Sequence, residues 1–228
     1  MQPPPIRHPA RTSAVLFAFF LLVLALVAAS WAPLDRADRD IAVSLHHSAV
    51  THHDSTETAR VLSDWVWDPW AMRALLAVVV GWLLWRREWL TAGWVAATAA
   101  LGTLLQQVIK AAVGRERPHW PDPVDSAHYA AFPSGHALTA TVACGLVLWV
   151  MALHGARARW RWPVAVAGAV SVIGVGLTRL YLGVHWPSDV LGGWLLGAAL
   201  VYAAVAVYPY AASRDGERTP SDEGNVRS

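Results

Sequence analysis

The sequence has little charge and almost no cysteine. Charged residues make up 15% of its 228 residues against 55% hydrophobic residues, and the mean hydropathy is +0.36. The one cysteine, Cys144, lies inside an apolar run, which excludes a disulfide framework and a cysteine metal cluster. No internal repeat or second domain is visible, and the basic residues are scattered rather than gathered in one patch. A nucleic-acid-binding surface is therefore not predicted.

What the sequence has instead is six apolar runs. Several approach the roughly 20 residues that a helix needs to cross a bilayer, and the shorter ones extend into flanking tryptophan-rich sequence. The pattern predicts an all-α fold, a bundle of six transmembrane helices in one multi-pass membrane protein. The runs occupy residues 14–30, 71–85, 89–109, 137–153, 163–177 and 190–208.

The arginines predict the orientation of this bundle. Ten of them lie in segments that would face the cytoplasm, and four lie opposite once the polar positions discussed below are set aside. The positive-inside rule then makes both termini cytoplasmic in a cell-membrane protein. The cytoplasmic set is Arg7, Arg11, Arg86, Arg87, Arg157, Arg159, Arg161, Arg214, Arg218 and Arg227.

The first and last apolar runs give the predicted domain boundaries. Residues 1–13 are interpreted as a cytoplasmic tail, residues 14–209 as one transmembrane domain, and residues 210–228 as a disordered cytoplasmic tail. The first span could be a cleaved secretory signal. Its apolar run is longer than the usual apolar region of a signal peptide, however, which favours a retained span.

Residues 31–69 are predicted to form a long outer loop. Leu34, Ile41 and Leu45 mark one helical face, which predicts a short helix lying on the membrane surface. The histidines of this loop have no cysteine or carboxylate support, so solvated surface histidines are predicted rather than a zinc site. These histidines are His46, His47, His52 and His53.

Basic residues interrupt the apolar pattern after the third run. Lys110 and Arg117 lie seven positions apart, and Gly114 and Pro118 predict that the helix breaks between them and curls Arg117 back. Taken alone, two basic residues at a membrane boundary more often extend their side chains to lipid headgroups than form a binding site. Fixed charge at a membrane boundary nevertheless suggests a functional site, because placing it there costs free energy.

A helix start follows at Pro133. Ser134 is a natural N-cap, and a helix N-terminus offers unpaired N–H groups and a positive dipole end to an anion. Gly135 lets the backbone approach that anion closely. His136, in the first turn, could donate a proton to a leaving group.

A third polar stretch precedes the last run. Asp189 lies four positions after His185 and could fix its tautomer, leaving the other ring nitrogen as a nucleophile or base. Ser188 is predicted to cap the last span, and Arg179 offers a planar fork for phosphate oxygens. Alone, the stretch fits a structural His–Asp hydrogen bond equally well. Because the predicted topology puts all three stretches on the extracytoplasmic face, together they predict a metal-free pocket for a doubly charged phosphoryl group.

The three stretches together resemble a known family. Lys-x6-Arg-Pro at 110–118, Pro-Ser-Gly-His at 133–136 and Arg-x5-His-x3-Asp at 179–189 are similar to the signatures of the type 2 phosphatidic acid phosphatase (PAP2) superfamily. Thr178 departs from the serine usual there but keeps a hydroxyl. The resemblance implies His185 as a nucleophile that forms a phosphohistidine, Asp189 as its orienting partner, and His136 as the general acid. It implies phosphate binding by Lys110, Arg117, Ser134, Gly135 and Arg179, and no cofactor.

The expected function is thus hydrolysis of a lipid phosphate or diphosphate at the outer leaflet. Undecaprenyl diphosphate, phosphatidate and phosphatidylglycerol phosphate are the substrates that the resemblance suggests. A lipid phosphotransferase using the same phosphohistidine is the alternative. A vanadate haloperoxidase is disfavoured because those enzymes are soluble, and an anion channel is disfavoured because the acid and nucleophile are both present. Arg115 is outside the signatures and is expected to be an auxiliary cation at most.

Overall fold

The computed structural model describes residues 8–218, which contain helices and no strand. Most of these helices follow the apolar runs, and the segment 114–134 between α5 and α6 is irregular. The elements are α1 Pro9–Ala28, α2 Ala32–Thr51, α3 His53–Val61, a π-helical turn Leu62–Val66, α4 Pro69–Trp85, α5 Trp89–Val113, α6 Gly135–Leu153, α7 Ala158–Tyr181 and α8 Pro187–Arg218.

Six helical stretches of the described residues are long and apolar enough to cross a membrane, which confirms the predicted all-α, six-span bundle. The second stretch, His53–Trp85, is longer than its apolar run because α3, the π-helical turn and α4 follow one another directly. Large apolar side chains such as Phe19, Val78 and Leu104 are exposed on the bundle. Such an outer surface suits contact with lipid rather than water.

The prediction of a loop with one short surface helix at 31–69 was wrong. α2 alone has 20 residues, and it packs against α7 and α8. The predicted apolar face is only partly buried, since Leu34 and Leu45 pack against hydrophobic clusters but Ile41 is 46% exposed. Hydrophobic periodicity missed the true face because two of its members are polar. That face consists of Asp38, Ala42, His46 and Ala49.

The loop histidines behave in two ways. His47, His52 and His53 are exposed, as predicted. The prediction was wrong for His46, which is buried with its ring stacked on Trp120 at 4.1 Å between centroids.

Both predicted tails overlap with helices. α1 begins at Pro9, where proline suits the first helical turn because its φ is preset and its missing N–H is not needed. α8 continues to Arg218 through the helix-favouring Ala211 and Ala212, so the disordered tail predicted from residue 210 was wrong as far as residue 218. Residues 1–7 and 219–228 lie outside the described residues.

Close packing of α6 on α8 positions the candidate site. A Cβ on Gly193 would lie 2.6 Å from the carbonyl oxygen of Ser134, so only glycine allows the two backbones to approach this closely. The N–H of Ser134 donates to the carbonyl oxygen of Asp189 at 2.9 Å. The first turns of α6 and α8 are therefore held side by side.

Candidate active site

The C-terminal ends of α5 and α7 and the N-terminal ends of α6 and α8 meet at one end of the bundle, around a cavity of about 420 Å³. Most of the predicted site residues line this cavity, although they are spread over 76 positions of sequence, from 110 to 185. Ser134 and Asp189 lie behind it and are fully buried. The predicted residues at the cavity wall are Lys110, Arg117, Gly135, His136, Arg179 and His185.

His185 lies between the end of α7 and the start of α8. Its Nδ1 is 3.3 Å from Oδ2 of Asp189, and the same oxygen accepts the Trp186 N–H at 2.8 Å. With Nδ1 held on this side, Nε2 is the nitrogen left to react, and it lies 3.2 Å from Nη1 of Arg117. The pKa of His185 is well below its ordinary value because of burial and the positive charge of Arg117. The ring is therefore neutral, as a nucleophile must be.

The N-terminus of α6 provides the second wall. Ser134 occupies the N-cap position as predicted, but its side chain makes no capping hydrogen bond. Its buried Oγ has no partner among the described residues, so a hydroxyl is available beside the first-turn N–H groups. Gly135 packs against Gln106, whose Nε2 would be 2.7 Å from an added Cβ. His136 lines the cavity from the same turn.

Two of the cations come from the C-terminal end of α5 and from the segment that follows it. α5 ends at Gly114, which has a φ of +59°, and the chain turns back so that Nη1 of Arg117 donates to the Val184 carbonyl. The predicted break and return of Arg117 are thus confirmed. Lys110 donates to the carbonyl of Ala130. The pKa of Arg117 falls to about 10 through burial and the nearby charge of Arg179, which leaves the guanidinium protonated at neutral pH.

Arg179 is held by acids that the sequence interpretation missed. Its Nη1 lies 3.0 Å from Oγ of Ser63 and 3.4 Å from carboxylate oxygens of both Asp64 and Asp125, while its buried Nε has no partner among the described residues. Asp64 belongs to the π-helical turn and Asp125 to the irregular segment before α6. Neither position belongs to a motif, so no sequence signal indicated them.

Two further expectations need correction. Ser188 does not cap α8, because the helix already begins at Pro187 and the Ser188 N–H donates to Oδ1 of Asp38 at 2.9 Å. Arg115 is more than an auxiliary cation, because its Nη1 donates to Oδ1 of Asp189 at 2.7 Å. Gln106 was also missed, although it lies one helical turn before Lys110 and could have been found from that spacing.

Comparisons with known proteins find relatives of this sequence. The sequence model of the PAP2 superfamily matches residues 91–213. The chain is 36% identical over 87 residues to an undecaprenyl-diphosphatase of Sulfolobus acidocaldarius, covering 38% of this chain and 36% of that protein. It is 39% identical over 118 residues to a decaprenylphosphoryl-5-phosphoribose phosphatase of Mycobacterium tuberculosis, covering 50% of this chain and 58% of that protein. Both matches thus span less than two thirds of the relative.

The fold has a counterpart among solved structures. A crystal structure of a transmembrane PAP2-type phosphatidylglycerolphosphate phosphatase from Bacillus subtilis superposes with a TM-score of 0.75 at 21% identity, covering 92% of this chain and 98% of that one. At this identity the likeness establishes a shared fold. Because the family model matches more than half of the sequence and the signature residues meet in one cavity, the chain belongs to the PAP2 superfamily.

Proposed function

We propose that this protein is a membrane phosphatase that hydrolyses a phosphomonoester or diphosphate of a lipid through a phosphohistidine on His185. One observation carries the proposal. His136 and His185 line a single cavity at the helix ends together with the cations Lys110, Arg117 and Arg179. A site that must neutralise a phosphoryl dianion, attack phosphorus and protonate a leaving oxygen needs these groups together.

The first chemical step forms the phosphohistidine. Nε2 of neutral His185 attacks phosphorus, the bond from phosphorus to the leaving oxygen breaks, and His136 gives its proton to that oxygen. The dianion itself favours the protonated form of His136 by adding negative charge nearby. Asp189 keeps the Nδ1 proton in place and stabilises the positive charge that develops on the ring.

The second step regenerates the enzyme. Water attacks phosphorus, His136 takes a proton from it, and the phosphorus–nitrogen bond breaks to return its electron pair to Nε2. Lys110, Arg117 and Arg179 stabilise the phosphoryl oxygens in both steps, together with the Ser134 hydroxyl and the N–H of Gly135. These cations take the role that a metal often has, so the reaction is proposed to be metal-independent.

A lipid substrate is supported by a second cavity of about 210 Å³ beside the first. It lies between α4, α5 and α6, has walls that include Leu76, Leu138 and Val142, and shares Arg73 and Thr139 with the site. An acyl or prenyl chain can lie there while its head group enters the cationic cavity. The names of the relatives support lipid phosphates and diphosphates in general, and undecaprenyl diphosphate is the substrate we favour.

The proposed orientation puts this end of the bundle at the extracytoplasmic face, with both termini in the cytoplasm. It rests on the arginine distribution, which places Arg86 and Arg87 between spans two and three and Arg157, Arg159 and Arg161 between spans four and five. Accessibility of a cysteine introduced at exposed Tyr129, beside the cavity, to an impermeant thiol reagent in intact cells tests it.

The direct test of the function is phosphate release by detergent-purified protein in EDTA. Undecaprenyl diphosphate, phosphatidylglycerol phosphate and phosphatidate are offered separately. His185→Ala should abolish release, whereas His47→Ala, the same change at an exposed histidine of α2, should not. Normal release from His185→Ala would overturn the mechanism, and a magnesium requirement would overturn metal independence. Transfer of the phosphoryl group to an acceptor lipid in place of water would identify a phosphotransferase.

A further inference from the structure

A buried ion-pair network joins α2 to the candidate nucleophile. Oδ1 of Asp38 accepts the Ser188 N–H at 2.9 Å, and Oδ2 accepts the Ser188 hydroxyl at 2.5 Å and Nη2 of Arg115 at 2.8 Å. Asp38 is almost fully buried and lies in α2, before the segment that the family model matches. The signatures therefore do not account for it.

Arg115 is the bridge between two carboxylates. Its Nη1 donates to Oδ1 of Asp189 at 2.7 Å while its Nη2 donates to Asp38. The other oxygen of Asp189, Oδ2, is the one that faces Nδ1 of His185. A planar guanidinium fixes the directions of its hydrogen bonds, so Arg115 determines which carboxylate oxygen is presented to the histidine.

The charges of this network depend on one another. The side chains of Asp38 and Asp189 are 3% and 0% exposed, and a buried carboxylate is costly without a compensating cation. Burial alone would lower the pKa of Arg115, but the charges of Asp189 and Asp38 raise it above its ordinary value. Arg115 therefore stays protonated and supplies the positive charge beside both buried side chains.

We propose that Asp38 and Arg115 are positioning residues of the active site, which act through Asp189 to orient His185 and to set the charge that it experiences. The proposal rests on the proposed function, because it assigns these residues to the phosphohistidine reaction. It also gives α2 a role in catalysis, because without Asp38 the guanidinium of Arg115 would lose one of its two buried anionic partners.

The two residues should affect His185 in opposite directions. Removing the positive charge of Arg115 leaves Asp189 less neutralised, so the imidazolium is favoured and the pKa of His185 rises. Removing the negative charge of Asp38 leaves Arg115 less neutralised, so the pKa of His185 falls further. The other charged or titratable groups around His185 and Arg115 remain in every variant. They are Asp35 of α2, Lys110 of α5, Arg117 and His128 before α6, His136 of α6, Arg179 of α7 and, across the cavity, Asp64, Arg73 and Asp125.

The experiment compares Arg115→Gln, Arg115→Lys and Asp38→Asn with the unmodified protein and with Asp40→Asn, the same change at an exposed position of α2. Initial rates give kcat and KM across pH. Histidine-selective ¹⁵N NMR of the full chain in detergent gives the titration of His185, identified by its loss in His185→Ala. Size-exclusion chromatography confirms that each variant is folded.

Arg115→Gln should lower kcat by about ten- to a hundredfold, the loss seen when a partner that orients a working histidine is removed from metal sites. It should raise the titration midpoint of His185 by about one pH unit, the low end of what a neighbouring charge produces. Arg115→Lys should restore most of the midpoint, Asp38→Asn should not raise it, and Asp40→Asn should change neither quantity.

A folded Arg115→Gln variant with an unchanged midpoint and an unchanged kcat would overturn the proposal, as would a rise in the midpoint for Asp38→Asn. A misfolded Arg115→Gln variant leaves Arg115→Lys and Asp38→Asn to decide, because Asp38→Asn must still not raise the midpoint. Failure of the proposed function looks different. The unmodified protein would then release no phosphate from any lipid, while the NMR midpoints would still report whether the network controls His185.

Discussion

Asp125→Asn should strengthen binding of inorganic phosphate to the protein. Arg179 is proposed to hold phosphoryl oxygens, yet its Nη1 already lies 3.4 Å from Oδ2 of Asp125 and 3.4 Å from Oδ1 of Asp64. An entering phosphate must compete with these carboxylates for the same guanidinium. It also meets their negative charge at the cavity wall, where both residues lie.

The geometry sets the size of the effect. A well-formed hydrogen bond to a charged group contributes about 1.5–3 kcal/mol, and 3.4 Å is longer than the usual range. We therefore take about 1 kcal/mol for Asp125, whose side chain is only 17% exposed, which corresponds to about fivefold in affinity. Asp64 lies at the same distance but is 48% exposed, so solvent screens it and Asp64→Asn should change affinity less than about twofold.

The assay is the inhibition constant of inorganic phosphate, or its dissociation constant by calorimetry in detergent. Asp122→Asn is the matched control, since Asp122 belongs to the same segment but its side chain is 62% exposed and contacts His46. Asp125→Asn should also lower the melting temperature slightly, because buried Arg179 loses one anion. Weaker or unchanged phosphate binding in folded Asp125→Asn would refute the reasoning and would mean that Arg179 keeps its acids when phosphate binds.

Three other changes test other parts of the structure. Asp189→Asn should lower kcat by roughly a thousand- to ten thousandfold with little change in KM, as loss of the orienting carboxylate does in a Ser-His-Asp triad, and initial rates would measure it. Because the pKa of His185 lies below 6.5, its ring stays neutral as the pH falls through that value, so kcat/KM should persist there; an acid limb at or above pH 6.5 would contradict this. Gly193→Ala should reduce stability by about 1–3 kcal/mol because its Cβ would press on the Ser134 carbonyl, whereas Gly81→Ala, with open space around it, should not; thermal unfolding compares them.

The parts that the sequence predicted are those with a strong local signal. Long apolar runs specify spans because every backbone group in lipid must be paired within a helix. Gly114 and the Pro133–Ser134 pair specify where α5 stops and α6 starts, through a left-handed C-cap and an N-cap position. The convergence of these helix ends then followed from connectivity alone.

The parts that it missed depend on contacts between distant segments. α2 buries Asp38 because an arginine 77 positions away and a serine 150 positions away reach it, and neither partner is visible from the periodicity of α2. The same holds for Asp125, which reaches Arg179 from an irregular segment 54 positions earlier. Polar burial of this kind is decided by tertiary pairing, whereas the sequence patterns report apolar periodicity.

On the proposed function, the ion pairs also explain how one cavity can hold His185 rigidly and still admit a phosphoryl group. Among the described residues, the short ion pairs of Arg115, at 2.7–2.8 Å, are with the buried Asp38 and Asp189, and the more exposed Asp35 lies farther away at 3.6 Å. Arg179 instead pairs with Asp64 and Asp125, which are more accessible to water than Asp38 and Asp189. Water can solvate the second pair of acids when phosphate displaces them, but it cannot reach the first. The Arg115 side of the cavity is therefore fixed and keeps His185 aligned, and the Arg179 side is exchangeable. Lys110 and Arg117, which donate to backbone carbonyls, supply the two positive charges that a phosphoryl dianion meets in either case.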